Sequence, residues 1–445
     1  MKIEMPKKVN LIIDQLSKNG YEAFAVGGCV RDKILGRIPE DWDITTSAQP
    51  LEVKHIFKRT VDTGIEHGTV TVLIGDEGFE VTTYRIDGEY EDSRHPTSVS
   101  YTRSLREDLL RRDFTINAMA YNNEEGLVDE FEGLKDINNK VIRCVGDAKS
   151  RLSEDSLRIL RGVRFAAQLN FTIEENTQQA MRELAPRLKN ISEERIQVEL
   201  IKMVTSNYPE RITEAYNLGI TKEFIPEFDD MMKTKQETPH HMYNVGQHTI
   251  CALKNVRNDK ILRLTMLFHD MGKPEYKTMD EDGVAHFKKH AIGSEELARK
   301  VMNRLKFDNE TKRKVMKLVF YHDYRMPATA VNVRRAMNKI GTDLFPLYLE
   351  VRRADTLAQS TYLREEKLAN INEIEELYKE IVINRECVQV GDLSLNGKDL
   401  IALGAKQGRQ IGDILKYLLE IVIENPEKNT KEELTKEVKD KFFYF

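Results

Sequence analysis

The stretch FAVGGCVRDKILGRIPEDWDITTSA, residues 24–48, carries the residues on which everything else in the chain bears. Phe24 to Val26 run as a strand into Gly27-Gly28, and Cys29-Val30-Arg31-Asp32 opens a helix. Two glycines after a strand permit a tight turn and a close approach of backbone to a phosphate, and the helix N-terminus behind them favours an anion. Asp41-Trp42-Asp43-Ile44-Thr45 follows. As a strand, it sends Asp41 and Asp43 to one face and Trp42 and Ile44 to the core. Two adjacent carboxylates repel unless a cation sits between them, and a few hard oxygen ligands suit Mg²⁺ carrying substrate phosphates. A phosphate cradle beside an acidic pair reads as nucleotidyl transfer, in which metals brace the attacking and leaving oxygens. The plainer reading is a turn and a half-exposed strand with two solvated aspartates.

The chain has 445 residues, room for several domains and a large core. With 40% hydrophobic and 32% charged residues it has a globular, cytosolic composition. Its net charge of −5 means that a nucleic-acid surface has to be a local patch. Cys29, Cys144, Cys251 and Cys387 are scattered, which argues for a reducing compartment and against a disulfide framework or zinc knuckle. There is no signal-peptide core at the start and no long apolar run, so no membrane span is expected.

Beyond the opening helix (7–19, closed by Gly20), strand-like runs at 68–74 and 79–84 are joined by the turn 75–78. Glu80, Thr82 and Tyr84 share a face, so Glu80 is either a third carboxylate near the metals or a solvated strand residue. Residues 86–98 are polar and aperiodic, the composition of a surface loop. In residues 104–120 the apolar positions Leu105, Leu109, Ile116 and Ala120 suit two packed helical segments, interrupted by Arg111-Arg112-Asp113 with Asn117 beyond. By physics alone those charges make a surface ion pair of small worth.

From about Ser150 the pattern turns helical. Ser153 suits an N-cap and Glu154-Asp155 a helix start, and Asp155 and Arg158 fall at i and i+3 with Arg161 and Arg164 continuing the stripe. One reading is a capping acid and a surface ion pair. The other is base recognition: a carboxylate accepts from an exocyclic amine while a guanidinium donates to a ring nitrogen or carbonyl. Cytosine and adenine both present that pair of edges, and guanine and uracil present the reverse.

These motifs resemble those of the class II tRNA nucleotidyltransferases, the CCA-adding enzymes and their bacterial poly(A) polymerase relatives. Gly-Gly-x-x-Arg-Asp followed by Asp-x-Asp, RRDFTINAMA at 111–120, Glu-Asp-x-x-Arg at 154–158 and SEERIQVE at 192–199 all match. The resemblance implies Asp41 and Asp43 as catalytic Mg²⁺ ligands. It implies nucleotide contacts from Gly28, Arg31, Arg112, Asp113, Asn117, Asp155 and Arg158, with Arg161 and Arg164 near the triphosphate. Glu194, Arg195 and Glu199 become braces of the base-reading helix, and loop 86–98 becomes the element that switches specificity from C to A.

Residues 240–360 hold a second constellation: His248, His269-Asp270, His290, His322 and Asp355, each on or ending an apolar-periodic helical stretch. Imidazoles with carboxylates at one end of a bundle favour Mn²⁺, Fe²⁺, Ni²⁺ or Zn²⁺. With Gly272-Lys273 they resemble the HD phosphohydrolases, which implies a phosphoester-cleaving metal site. In the tail, Lys398, Lys406 and Arg409 lie among glycines. They suit an RNA backbone or a plain helix–turn–helix connection.

The expected architecture is α+β. A polymerase-β-like nucleotidyltransferase head with a mixed sheet (1–148) precedes a helical base-reading neck (149–225), a helical body with the HD segment (226–362) and a helical, tRNA-binding tail (363–445). The expected reaction is template-independent addition of C, C and A to the tRNA 3′ end from CTP and ATP, in the cytoplasm, with no obligate protein partner. The alternatives are poly(A) or A-only addition by the same framework, or an HD phosphohydrolase whose head only binds nucleotide.

Overall fold

The computed structural model describes residues 1–88 and 99–442. The expected specificity loop therefore falls, from residue 89 to its end, outside the described residues. The chain forms two compact units, Met1–Asp229 and Asp230–Phe445. The first takes in the expected head and neck, the second the expected body and tail.

The first unit opens with the helix Lys7–Lys18, which buries Val9, Ile12, Ile13 and Leu16 at helical spacing. Gly20, at φ +87°, ends it. Among its described residues eleven strands follow: β1 (Ala23–Val26), β2 (Ile44–Thr46), β3 (Thr60–Gly64), β4 (Thr69–Ile74), β5 (Glu77–Thr83), β6 (Arg85–Asp87), β7 (Val99–Tyr101), β8 (Ala120–Asn122), β9 (Gly126–Val128), and β10 (Val141–Ile142) with β11 (Thr172–Ile173), the last two paired in parallel. Seven of them make one mixed sheet in the order β3-β4-β5-β2-β1-β8-β9, while β6 and β7 pair separately. Only β2 and β5 run parallel within that sheet; its other pairings are antiparallel.

Three local expectations are corrected. The strand after the acidic pair begins only at Ile44, so Asp41 and Asp43 stand in the segment leading into β2 and Trp42 is half-buried rather than in the core. The hairpin is tighter than expected, with Ile74 opposite Glu77 and only Gly75-Asp76 in the turn, Gly75 at φ +65°. Residues 104–120 are not two packed helices. Leu105–Leu110 is helical, Thr115–Asn117 is a single 3₁₀ turn, and Ala120 enters β8, where pairing with β1 outweighs helix propensity.

The neck part of this unit is helical. The helix Leu157–Leu169 packs against Glu193–Val204, and Phe114 meets Phe165 edge to face at 5.8 Å. Ser153 does not cap a helix: Ala148–Glu154 is capped by Asp147, whose side chain accepts from the Ser150 N–H, and the chain breaks at Asp155-Ser156 before the next helix. Among its described residues the second unit is helical apart from one two-stranded pair, Thr278–Met279 with Ala285–His286. One of its cores joins Leu318, Met337 and Phe345 to Ile374 and Ile381 of the long helix Arg364–Ile383. A second gathers Leu400, Leu418, Val422 and Leu434.

Candidate active site and metal centre

Gly27 ends β1 at φ +83°, a backbone conformation that strains any other residue, and a Cβ there would stand 3.0 Å from Nη1 of Arg112. The turn thus brings the Arg112 guanidinium over the start of the helix Gly28–Ile34. The backbone N–H of Val26 donates to the carbonyl of Asp43 at 3.0 Å, which sets the acidic segment beside the same turn. Asp41 is exposed and Asp43 half-buried. In the parallel pairing Ile44 faces Val81, so the preceding positions, Asp43 and Glu80, lie level with each other. Burial, the Asp41 charge and that of Glu80 push the Asp43 carboxyl up to about 6, against the pull of Arg112. Negative charge accumulated beyond what Arg112 offsets is the condition that a divalent cation relieves, so the residues fit Mg²⁺.

Arg112 is itself held. Asp108, fully buried, accepts from Arg111 at 2.7 Å, from Arg112 at 3.4 Å and from the Thr45 hydroxyl at 3.1 Å. Sequence reasoning passed over Asp108. Its spacing of three and four residues from the two arginines on a helix was the available signal.

Several residues expected to touch the nucleotide form a buried polar chain with one another. Arg161 donates to Oδ2 of Asp113 from Nε (2.8 Å) and Nη2 (2.6 Å). Oδ1 of Asp113 accepts from Asn117 Nδ2 at 3.1 Å, and Asn117 Oδ1 accepts from Arg31 Nη1 at 2.6 Å. Arg31 also clasps Asp32 at 3.0 Å. This chain ties the neck helix to the helix behind Gly27. Burial alone would raise the Asp113 carboxyl, but Arg161 and Arg158 outweigh it and hold it well below the usual carboxylate range. Arg164 is buried, paired with Glu199 at 2.9 Å and stacked 3.7 Å over Phe165. Its charge is matched inside the unit by Glu199.

Asp155 and Arg158 are not partners on one helix face, because the helix break falls between them. Asp155 accepts from Arg195 at 2.7 Å. Arg158 donates to Glu154 at 2.6 Å and to the carbonyls of Arg151 (2.9 Å) and Arg111 (3.0 Å). Arg158 therefore bonds to the backbone of the residue next to Arg112. Glu154, also unassigned from sequence, grips Arg151 as well.

In the second unit the six predicted ligands converge. His248 Nε2 lies 2.9 Å from Asp355 Oδ1 and 3.4 Å from Asp270 Oδ2, and His269 Nε2 lies 3.3 Å from both Asp270 Oδ2 and His248 Nε2. His290 and His322 approach the other oxygen, Oδ1 of Asp270, at 3.3 and 3.5 Å. Each of His269, His290 and His322 donates Nδ1–H to a carbonyl three residues earlier, at 2.7 Å. That tether fixes the tautomer and turns the Nε2 lone pair inward, the arrangement of metal-ligating histidines. Lys273 Nζ sits 2.7 Å from Asp270 and donates to Gln236 at 2.8 Å. The cluster opens into a cavity of about 650 Å³ bordered by His240, His241, Lys288, Lys289 and Arg325, so His240 and His241, unassigned from sequence, border it. In the tail Lys398, Lys406 and Arg409 are all exposed, around a turn where Gly404 and Gly408 take positive φ.

Three family models match the chain: the poly(A) polymerase head domain over residues 23–143, the "Probable RNA and SrmB-binding site of polymerase A" over 170–232, and a tRNA nucleotidyltransferase domain 2 over 280–438. The CCA-adding enzyme of Levilactobacillus brevis is 50% identical over 220 residues, 49% of this chain and 55% of the relative. That of Enterococcus faecalis is 51% identical over 198 residues, 44% and 49% of the two chains. The matched part thus spans about half the length of these relatives. The crystal structure of the Bacillus stearothermophilus CCA-adding enzyme in complex with CTP is similar throughout, with TM-score 0.73, 27% identity and 98% of both chains covered. With the mixed-sheet head, the acidic segment before β2 and the Arg158 contact all in place, the chain is similar in sequence and fold to the class II tRNA nucleotidyltransferases, the family of the CCA-adding enzymes.

Proposed function

We propose that this chain adds C, C and A to the 3′ end of tRNA from CTP and ATP. The observation that carries the reading is the crowding of Asp43, Asp41 and Glu80 next to an arginine held over the Gly27 turn. Asp41 and Asp43 would hold Mg²⁺, which when bound supplies charge neutralisation at the triphosphate and alignment of the reacting oxygens. The tRNA 3′-hydroxyl attacks the α-phosphorus, the bond to the β-phosphate breaks, and pyrophosphate leaves. Arg112, locked by Asp108, offsets phosphate charge without having to reorganise during the reaction. Asp155 accepts from the exocyclic amine of C or A, and Arg158 donates to the adjacent ring nitrogen. Because each is anchored by a partner other than its fellow, an arriving base has no Asp155–Arg158 ion pair to break. The site of action is the cytoplasm; among the described residues no helix is long and apolar enough to cross a membrane.

The test supplies tRNAs lacking the last one, two or three nucleotides of the CCA end, each with CTP, ATP or both. Stepwise completion to CCA supports the proposal. ATP-only extension favours the A-adding or poly(A) reading, and full activity in an Asp41→Ala, Asp43→Ala double variant refutes the mechanism.

A second reading concerns the histidine cluster, which we propose is a metal-dependent phosphohydrolase centre of the HD type. Four imidazoles aimed at shared carboxylates in an open cavity support it. Mn²⁺, Ni²⁺, Fe²⁺ and Zn²⁺ all suit such donors. Metal-dependent hydrolysis of a 2′,3′-cyclic nucleotide, abolished in His269→Ala, tests it.

A further inference from the structure

We infer that Gln359, held by Lys367, is the positioning residue that aims Asp355 into the histidine cluster, an inference that rests on reading that cluster as a metal site. Asp355 lies in the last turn of the helix Phe345–Ala358, and its Oδ1 faces the imidazoles, 2.9 Å from His248 Nε2 and 3.7 Å from His269 Nε2. The terminal torsion of an aspartate is broad, so which oxygen faces the cluster is open until the other one is engaged. Here Oδ2 accepts from Gln359 Nε2 at 2.9 Å. Gln359 is buried, so both ends of its amide need partners. The other end, Oε1, accepts from Lys367 Nζ at 2.7 Å. An ammonium has donors and no acceptor, so the amide end that meets it has to be the oxygen. The end left for Asp355 is then the amide N–H, from which a carboxylate accepts. Reversed, the amide would set an oxygen against Asp355 and N–H groups against the ammonium, two repulsive contacts in place of two attractive ones. Lys367 thus decides which way round Gln359 stands, and Gln359 decides which oxygen of Asp355 is left for the cluster.

The backbone keeps this relay in place. The helix Phe345–Ala358 stops at Gln359, and the chain turns through Leu363, at φ +53°, into the helix Arg364–Ile383, whose first turns carry Lys367 back to Gln359. A residue with a side chain seldom takes that left-handed conformation, and here the surrounding contacts impose it. The Ser360 N–H donates to the His240 carbonyl at 2.8 Å and its hydroxyl to the Pro239 carbonyl at 2.6 Å, while Arg364 donates to the carbonyl of Gln359. Lys367 has a second contact of its own, with Nζ 3.3 Å from His240 Nδ1. The carbonyl just before Gln359, that of Ala358, faces His248 Nδ1 at 3.3 Å. Two neighbouring residues at one helix end therefore orient two members of the cluster, Ala358 the imidazole of His248 and Gln359 the carboxylate of Asp355. Partners one step behind a ligand set its direction, and losing one costs about 10–100-fold in metal affinity.

The full-length chain in an Asp41→Ala, Asp43→Ala background, so that the head contributes no ion, is stripped with chelator and titrated with Mn²⁺ by calorimetry. The Co²⁺-loaded form gives a visible spectrum that reports the ligands around the ion. Gln359→Met, close in length and unable to donate, should weaken Mn²⁺ binding about 10–100-fold and shift the Co²⁺ bands. Lys367→Met, which frees the amide to turn, should weaken it about 10-fold. Lys367→Arg, which again offers donors and no acceptor, should keep the parent affinity and spectrum. Added to Gln359→Met, Lys367→Met should weaken binding no further, because Lys367 acts through the amide. Parent affinity and spectrum in a folded Gln359→Met chain, or losses that multiply in the double variant, overturn the inference. Should Gln359→Met melt early, the two Lys367 variants decide, and equal losses in Lys367→Met and Lys367→Arg overturn it. A parent that takes up no Mn²⁺ sinks the metal reading itself, whereas a parent that binds while every variant matches it sinks this inference alone.

Discussion

Arg161→Met probes the polar chain that joins the neck to the head. Asp113 is buried and keeps two N–H donors, from Phe114 and Asn117, after the change, but its guanidinium partner at 2.6 Å is gone. Removing one partner of a buried pair costs about 3–5 kcal/mol. The Arg161 side chain is 34% exposed and Arg158 also acts on Asp113, which places the expected loss at the lower end, about 3 kcal/mol. For a unit of this size, each kcal/mol lowers Tm by about 2–4 °C, so the drop is about 6–12 °C. The pH dependence gives a sharper test. In the parent, the Asp113 carboxyl lies well below its unfolded value, so its contribution is complete above the ordinary carboxylate range and is lost only as pH falls through the depressed value. Without Arg161, burial dominates and raises the carboxyl above its unfolded value. The ionised group then destabilises the fold at high pH, and protonation relieves it as pH falls. The Tm gap between parent and variant, followed by calorimetry, should therefore be wider at pH 8 than at pH 5. Adding Asp113→Asn, which removes the stranded charge, should recover at least half of it. A gap under about 2 °C, or one equal at both pH values, would refute the reasoning.

Asp43→Asn should lower nucleotide addition by roughly 10³-fold or more while the melting curve stays intact, measured on tRNA lacking its terminal A. Asp155→Ala should erode the preference for CTP and ATP over UTP and GTP in single-nucleotide incorporation, with a smaller effect on the Arg158 side because Glu154 still holds that guanidinium. The triple variant Lys398→Ala, Lys406→Ala, Arg409→Ala should raise KM for tRNA and flatten its salt dependence, leaving kcat for the chemical step unchanged if these exposed cations meet RNA phosphates. In Gly272→Ala, backbone atoms at 2.5–2.8 Å from the added methyl must retreat by about 1 Å, at a cost of about 1–3 kcal/mol. The His290 end of the cluster should then move away from Asp270, seen as weaker Mn²⁺ binding by calorimetry.

The fold class was legible because the sequence departs from monotony where the structure does. The apolar spacing of Val9, Ile12, Ile13 and Leu16, the alternation in 69–74 and the paired glycines at 27–28 each have a single natural conformation. Residues 104–120 were misread because Ile116 and Ala120 follow helical spacing, yet a vacant edge of β1 claims Ala120. The six clustered residues were legible as candidate metal ligands by residue type, since imidazoles beside carboxylates on apolar stretches need a reason to be buried. How they divide into two sets was not, because that depends on which oxygen of Asp270 each imidazole meets. Asp155 and Arg158 looked like i,i+3 partners only on the assumption of an unbroken helix. The break at Ser156, itself fully buried, reassigns both. For the arginines, sequence supplied the charge and not its destination: Arg164 looked available for phosphate and is matched by Glu199, a residue 35 positions away.

The tight turn Gly75-Asp76 sits at the surface, and nothing about it suggests a bearing on chemistry. Yet the strand it launches runs beside β2 with Val81 across from Ile44, and that alignment alone keeps Glu80 level with Asp43. Side chains on a strand alternate, so losing or gaining one residue in the turn would send Glu80 through to the opposite face and bring Phe79 or Val81 to the acidic rim. Length changes of that kind, usually the most forgiving a protein can undergo, should here be as damaging as a substitution among the carboxylates themselves.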